Sequence, residues 1–189
     1  MSKGAYPRWA WALSGSGHFF TESLELIHTL GDVDLFVSAA AEEVLRMYKQ
    51  DKSPLPANTH VFRDTTASAA PVGMFYEGKY HTLVVAPASS NTVAKCVYGI
   101  SDTLVTNCFA QAGKCRVPGI VFACDTAPEL ITMAPGGPVP VFPRKIDLEN
   151  TRKLKDFEAT TVAESLVELK AAIAARKAEL DARVCAPAR

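Results

Sequence analysis

The stretch VVAPASSNTVAKCVYGISDTLVTN, from Val84 to Asn107, decides the fold and raises the first question about function. An apolar run ends at Pro87, and a helical pattern of apolar residues begins shortly afterwards. The segment between them carries four hydroxyl or amide side chains, those of Ser89, Ser90, Asn91 and Thr92. Because one such residue is enough to cap a helix, the others predict that a polar ligand binds at the end of this strand.

The rest of the chain repeats this alternation of apolar runs and helical patterns. Four runs are typical of buried strands: Arg8–Ser14, Val33–Ser38, Thr82–Pro87 and Gly119–Asp125. A helical pattern follows each of the first three runs, which favours βαβ units. We therefore predict an α/β fold with a Rossmann-like (flavodoxin-like) parallel sheet, helices on both faces, and a single domain over residues 1–189.

Three further segments are assigned more coarsely. The last third of the chain has a helical pattern with alternating charges, which predicts one C-terminal helix over about 148–184 and a frayed tail at CAPAR. The segment APGGPVPVFPRK predicts a loop near the site followed by a short extended piece. The small residues of TTASAAPVG, residues 65–73, fit either a mobile lid or a disordered connector.

Composition and charge exclude several classes of function. The chain has 189 residues, of which 48% are hydrophobic, and its formal net charge is zero. It therefore offers no electrostatic attraction for nucleic acid or an anionic membrane. No apolar run approaches membrane-spanning length and the N-terminus lacks a signal-peptide layout, so we expect a cytoplasmic protein. The five cysteines lack metal-ligand spacing, which predicts reduced thiols and no bound metal.

Polar residues end each of the four predicted strands. In a parallel sheet these ends meet at one edge, where ligands bind. The first strand is followed by Ser14, Gly15, Ser16 and Gly17, and this loop either cradles a phosphate at a helix N-terminus or only caps that helix. Ser38, after the second strand, either meets the same phosphate or caps the second helix.

Two of these segments carry a resemblance to a known family. SGSGH and APASSNTVAKCVYGISDTLVTN resemble the flavoprotein superfamily of phosphopantothenoylcysteine decarboxylases, flavin prenyltransferases and archaeoflavoproteins. The family signature runs approximately P-A-S-A-N-T-x-A-K-x-x-x-G-x-x-D-N-L-L-T. The positions that this chain keeps are Pro87, Ala88, Ser89, Asn91, Thr92, Ala94, Lys95, Gly99, Asp102, Leu104 and Thr106.

The resemblance covers about Arg8 to Asp125 and has structural and functional implications. It implies a Rossmann-like fold, bound FMN, and homo-oligomers built from trimers with the flavin near a subunit interface. By position, the SGSG loop and Ser38 would hold the FMN phosphate and ribityl chain, and Ser89 to Thr92 would contact the ribityl chain and ring. Three further residues would lie close to the flavin, reached from a neighbouring subunit: Asp102, Thr106 and Asn107.

Departures from the family pattern separate its branches. Where the decarboxylases resemble one another in W-A-D-x-L-V-x-A-P, His81 occupies the aspartate position, and their later P-x-M-N-x-x-M-W is absent. Where the prenyltransferases carry phosphate-binding arginines, this chain has Asn107 and Asp125. What remains is the redox branch of archaeoflavoproteins and dihydromethanopterin reductases.

This branch implies a reaction and its partners. FMN would reduce dihydromethanopterin to tetrahydromethanopterin, a one-carbon carrier, in ping-pong turnover with an external donor such as ferredoxin or a flavin- or NAD(P)H-linked reductase. The alternatives are an electron-transfer protein partnered by ferredoxin, and a decarboxylase- or prenyltransferase-like enzyme.

Two residues are the candidate catalytic groups. Asp125, at the end of the fourth strand, would bind the pterin N–H groups or relay a proton; its ordinary alternative is a strand-end acid or a helix cap. His18, beside the predicted phosphate loop, is the second candidate and is otherwise a cap residue. Tyr98 and Cys124 are weaker candidates, for which packing is the simpler explanation.

Overall fold

The structure, a computed structural model, describes residues 7–50 and 54–185, with side chains as far as residue 182. Within these two ranges, eight strands run in chain order as β1 Arg8–Leu13, β2 Val33–Val37, β3 His60–Arg63, β4 Tyr80–Ala88, β5 Gly119–Ala123, β6 Leu130–Ala134, β7 Gly137–Val141 and β8 Thr160–Ala163. The α-helices are α1 Phe20–Ile27, α2 Ala39–Met47, α3 Ser90–Val97, α4 Leu104–Lys114, α5 Lys145–Leu154 and α6 Leu166–Cys185.

Six of the strands form one parallel sheet in the order β3-β2-β1-β4-β5-β8. This is the Rossmann type of strand order. Successive strands are added on one side of the first strand up to β3, and from the fourth strand onwards they are added on its other side. The reversal lies between β1 and β4, which pair with Ala12 opposite Val85. The predicted Rossmann-like parallel sheet is confirmed, and its ligand-binding crevice is expected where β1 and β4 end.

The two faces of the sheet explain why its central strands are largely apolar. Trp11 and Leu13 of β1 face one side, where they pack with residues of α1, α2 and α6. Ala10 and Ala12 face the other side, with residues of α3 and α4. All four side chains are fully buried, as expected for a strand covered by helices on both faces. The prediction of helices on both faces is therefore confirmed.

The single C-terminal helix predicted over about 148–184 is wrong. The segment begins within α5, which ends at Leu154, and continues as β8 and then α6. A positive φ of 52° at Ala159 turns the chain into β8, where Thr160 pairs with Gly119 of β5. Residues 186–189, which include most of the predicted frayed tail, lie outside the described part of the chain.

The predicted loop with a short extended piece is in fact a β-hairpin. Strands β6 and β7 form a separate antiparallel pair, with Met133 opposite Pro138 and Ile131 opposite Pro140. Proline lacks the N–H that a central strand must donate, but it is tolerated in an edge strand. In a two-stranded sheet every strand is an edge, so the proline-rich sequence is compatible with β7.

The segment 65–73 leads into a 3₁₀ helix at Ala70–Phe75. Ala69 and Phe75 are buried, and the Phe75 ring packs against Tyr80 and Phe36. The second half of the segment is therefore anchored in the core, which contradicts a disordered connector. Within the described ranges, no helix is both long enough and apolar enough to span a bilayer.

Candidate functional site

Ser14 joins the ends of the two strands at the reversal point. Its buried hydroxyl donates a hydrogen bond to the Pro87 carbonyl oxygen at 2.8 Å and accepts one from the Ser89 N–H at 2.9 Å. The turn after β1 is thereby fixed against the turn after β4. Ser14 shapes this rim of the sheet from behind and does not present its hydroxyl at the surface of the rim.

The two glycines of the SGSG loop allow close packing against α2. A methyl group built on Gly15 would overlap Ala40, and one built on Gly17 would overlap the Tyr48 hydroxyl. After this loop, α1 begins behind Phe19, which has a φ of 57° and provides no side-chain cap. The N–H groups of the first turn of α1 therefore have no side-chain acceptor, an arrangement that suits an anion.

The hydroxyl and amide cluster divides into capping and unengaged side chains. Ser89 caps α3 by accepting the Thr92 N–H at 3.3 Å, and the two side-chain oxygens are 3.1 Å apart. The Ser90 and Asn91 side chains form no hydrogen bond with any residue that the structure describes, and Asn91 is exposed. The sequence argument that one residue caps and others stay available for a ligand is therefore consistent with this geometry.

Ser38 is the N-cap of α2, as one of its two interpretations predicts. Its hydroxyl accepts the Ala41 N–H at 3.1 Å, and its own N–H donates to the Leu13 carbonyl. The side chain is buried. Contact between Ser38 and a phosphate stays a prediction.

Part of the predicted site lies around one hollow of about 290 Å³ at the rim. Its walls combine the loop after β1, the turn after β4, the end of β5 and the hairpin. The lining residues are Gly15, Ser16, Gly17, His18, Tyr48, Ser89, Asp125, Leu130, Thr132, Met133, Ala134 and Val141. The structure thus brings Gly15–His18, Ser89 and Asp125 together, although they come from three distant parts of the sequence.

Eight predicted residues do not line this hollow in the single chain: Ser14, Ser38, Ser90, Asn91, Thr92, Asp102, Thr106 and Asn107. Asp102 and Asn107 line a separate hollow of about 210 Å³ with Asp64 and neighbouring residues. Asp102 is paired with Lys95 at 2.8 Å, and this hydrogen bond lowers the pKa of the Asp102 carboxyl. Thr106 is buried in the capping box at the start of α4.

The electrostatics of the rim centre on His18 and Asp125. Burial lowers the pKa of His18, and the charges of Asp125 and Glu22 oppose that shift. The imidazole is therefore neutral at neutral pH, so that one ring nitrogen can accept a proton and the other can donate one. Burial also raises the pKa of the neighbouring Cys124 to about 12, which keeps this residue a neutral thiol.

The sequence analysis missed two residues: Tyr48, which lines the hollow, and Arg144, which lies near Asp125. The Tyr48 hydroxyl donates to the Met133 carbonyl oxygen at 2.6 Å and so ties the end of α2 to the hairpin beside Gly17. Arg144, just after the hairpin, is bound by Asp147 and lies close enough to Asp125 for that charge to act on it. No local pattern marks either residue, because their positions depend on how the hairpin folds back over the rim.

A doubly wound parallel sheet with polar turns gathered at its reversal point defines a class of proteins that bind phosphate-bearing cofactors. Within that class, the family described as Flavoprotein matches residues 2–182 of this chain. The chain therefore belongs to the flavoprotein family.

Two individual proteins are similar in sequence to this chain. The chain is 38% identical over 144 residues to a protein from Methanosarcina mazei named dihydromethanopterin reductase (acceptor), and the match covers 69% of this chain and 60% of that protein. It is 34% identical over 173 residues to an uncharacterized protein from Methanocaldococcus jannaschii, with 87% and 92% covered. The chain thus spans less than two thirds of the Methanosarcina relative.

Two solved structures are similar to this chain in fold. The crystal structure of Burkholderia xenovorans DmrB in complex with FMN, described as a cubic protein cage for redox transfer, has a TM-score of 0.85 and 54% identity, and it covers 93% of this chain and 97% of that one. A phenylacrylic acid decarboxylase from Aquifex aeolicus, at 20% identity and a TM-score of 0.63 over 92% of this chain and 96% of that one, shares the fold alone.

Proposed function

We propose that this chain is an FMN-dependent oxidoreductase that reduces dihydromethanopterin to tetrahydromethanopterin with electrons from an external donor. The observation that carries this proposal is the hollow at the reversal point, where the SGSG loop, Ser89 and Asp125 converge. Its support is the 54% identity to a protein crystallised with FMN and the 38% identity to a protein named for the reaction.

The residues at the rim fit FMN. The uncapped start of α1 offers N–H groups to a phosphate, and the glycines of the SGSG loop, Ser14–Gly17, let the backbone come close. The unengaged Ser90 and Asn91 side chains offer donors and acceptors to hydroxyl groups of a ribityl chain. We assign the phosphate to the SGSG loop with Ser38 behind it, and the ribityl chain and ring to Ser89–Thr92.

FMN, when bound, supplies a centre that transfers a hydride. Reduction of the pterin imine also requires a proton at the nitrogen next to the carbon that receives the hydride. Asp125 and the neutral His18 line the same hollow, so we assign proton relay to them. The chain has no second dinucleotide motif, so we infer ping-pong turnover with ferredoxin or a flavin- or NAD(P)H-linked reductase as donor.

We further propose a homo-oligomer built from trimers. The relative that is 54% identical is described as a cubic cage. In the single chain Asp102 and Asn107 lie around their own hollow, away from Asp125 and the SGSG loop. Assembly is the means by which Asp102, Thr106 and Asn107 would approach the flavin of a neighbouring subunit.

The first test is the flavin itself. Purified protein should be yellow, with absorption near ~450 nm, as a flavin cofactor requires. Asn91→Ala should lower the flavin content, whereas Ser165→Ala, at the start of α6 on the far edge of the sheet, should leave it unchanged. A colourless protein after reconstitution with FMN, or equal flavin content in the two variants, would remove the site assignment.

The second test is the reaction. Protein reduced chemically under anaerobic conditions should be reoxidised rapidly by dihydromethanopterin. Failure of this reoxidation together with rapid exchange with ferredoxin would instead identify an electron-transfer protein. Formation of a decarboxylated thiol or a prenylated flavin would place the chain in a non-redox branch of the family.

A further inference from the structure

A second and larger hollow adjoins the rim on the other side of the hairpin. It measures about 560 Å³, and we call it the hairpin bay. The bay and the rim hollow share five lining residues: Gly17, His18, Tyr48, Met133 and Ala134. A molecule held in the bay would therefore lie directly beside the proposed cofactor site, and the volume is in the range of small-molecule sites.

Part of the wall of the bay is apolar and exposed to solvent. Met47, Ile131 and Met133 line it and are 56%, 67% and 58% exposed. Phe19 lines it as well, from the start of α1. Flexible thioethers and an aromatic ring around one cleft suit a flat heterocycle, since sulfur and aromatic faces pack favourably on ring systems.

One carboxylate in the bay is unpaired. Glu22, in the first turn of α1, lines the bay and is partly buried. Its carboxylate makes no hydrogen bond or ion pair with any residue in the described part of the chain, although its charge acts on His18. Lys49, from the end of α2, adds a cation to the same hollow. The bay thus combines an acceptor for two N–H groups with a cationic donor.

We propose that the hairpin bay binds the heterocycle of the dihydropterin, with the N–H edge of its amino-pyrimidinone ring on Glu22. This rests on the proposed function and deepens it. A pterin presents two adjacent N–H donors beside a carbonyl oxygen, which matches a carboxylate and a nearby ammonium group. The flat ring lies between Phe19 and the methionines, and Asp125 remains free for proton relay on the rim side.

Binding of dihydromethanopterin to the oxidised holoprotein, measured by isothermal titration, tests the assignment. Glu22→Gln keeps the size of the side chain and removes its charge. Since a hydrogen bond to a charged group is stronger than one to a neutral group, the Kd should rise about tenfold or more. Glu25→Gln on the exposed side of the same helix is the matched control and should leave the Kd unchanged.

Two further variants separate binding from chemistry. Ile131→Trp should fill the bay and weaken dihydropterin binding, whereas the control Glu25→Gln should keep the wild-type flavin content and the wild-type rate of reoxidation by ferricyanide. Asp125→Asn should slow reoxidation by the pterin but change its Kd less than Glu22→Gln does. An unchanged Kd in Glu22→Gln, with turnover in the wild type, would overturn the bay alone. Absence of any dihydropterin binding by the wild type would overturn both the bay and the proposed reaction.

Discussion

Ser14 is the residue on which the geometry of the rim depends. Its hydroxyl donates a hydrogen bond to one backbone carbonyl oxygen and accepts one from a backbone N–H group, both at the end of the neighbouring strand β4. Both partners are backbone groups, which a side-chain substitution cannot remove. Loss of the hydroxyl therefore removes a hydrogen bond from each of them inside the protein. The cost of an unsatisfied buried polar group is about 1–3 kcal/mol.

Ser14→Ala should therefore lower the free energy of unfolding by about 1–3 kcal/mol. Urea denaturation followed by circular dichroism measures this loss. Ser101→Ala, whose side chain is exposed, should fall within ±0.5 kcal/mol of the wild type. Equal stability of the two variants would mean that Ser14 does not join the strand ends.

His81, in β4, gives the protein a defined sensitivity to acid. Burial, together with the charge of Arg176, lowers the pKa of His81 to about 4. In the unfolded chain a histidine titrates at about 6.5. Below that pH the unfolded state takes up a proton that the folded state does not, so the free energy of unfolding falls as the pH falls from about 6.5 towards 4.

His81→Gln should flatten this dependence. The difference in free energy of unfolding between about pH 7 and pH 5 should be smaller in the variant than in the wild type, measured by urea denaturation at both pH values. His18, whose pKa is also lowered, accounts for part of what remains. The exposed His28 provides the control, and parallel pH profiles for His81→Gln and wild type would refute the prediction.

At the residue scale, the sequence predicts local roles well and remote ones poorly. The caps at Ser38 and Ser89 follow from the residues next to them, and the structure contains both. The use of the Ser14 hydroxyl inside the rim could not be predicted, because its partner Ser89 lies 75 residues away in sequence.

The hairpin is the element that most changes the expected site. It carries much of the apolar surface of the bay and adds seven residues to the lining of the rim hollow or the bay: Leu130, Ile131, Thr132, Met133, Ala134, Pro135 and Val141. Its tie to α2 is the hydrogen bond from the Tyr48 hydroxyl to the Met133 carbonyl oxygen. The hairpin otherwise stands apart from the main sheet as a separate antiparallel pair.

Tyr48→Phe should loosen the hairpin without unfolding the domain. A single neutral hydrogen bond contributes about 0.5–1.5 kcal/mol, so amide hydrogen exchange in β6 and β7 should accelerate by up to about tenfold. Tyr76→Phe, on an exposed side chain that is 69% accessible, is the control. Unchanged exchange in the Tyr48 variant would show that this bond does not hold the hairpin.

The sequence did not predict β8, and it predicted β7 only as a short extended piece, for physical reasons that lie beyond local pattern. Strand β8 has only four residues, one of them buried, and sits in a region rich in helix-forming residues. Strand β7 carries prolines at 138 and 140, which a sequence reading treats as breakers. Each becomes a strand only because a partner is present, β5 for β8 and β6 for β7.

At the scale of the whole molecule, Arg176 fastens the C-terminal helix α6 to the central strand β4. The guanidinium group is buried and donates to the Thr82 hydroxyl and to the His81 carbonyl oxygen, both at 2.8 Å. It also pairs with Glu179 at 2.7 Å. The contacts with Thr82 and His81 join residues more than ninety positions apart and hold the last helix against the sheet.

Arg176→Met should reduce the free energy of unfolding by about 2–3 kcal/mol, since it removes charge-assisted hydrogen bonds while keeping an apolar stem. Thermal or urea unfolding gives the value. Lys170→Met, at an exposed position of the same helix, controls for the loss of a positive charge. A variant as stable as that control would mean that packing alone holds α6.

The overall architecture was predictable because the strands at the centre of the sheet are largely apolar and a helical pattern follows each of the first three predicted strands. The strand order was not, since the sequence contains no signal for which parallel neighbour each strand chooses. Assembly could not be predicted from local sequence patterns either, because the surfaces that meet belong to different chains.

The bridge between the two turns also sets an order of events during synthesis. The rim needs the first strand and the fourth side by side, so no ligand can be retained there until the ribosome has released residues well past Ser89. The hairpin and the last two helices emerge later. Because the hairpin supplies walls of both the rim hollow and the bay, neither hollow is complete until residues 130–141 have folded against the rim.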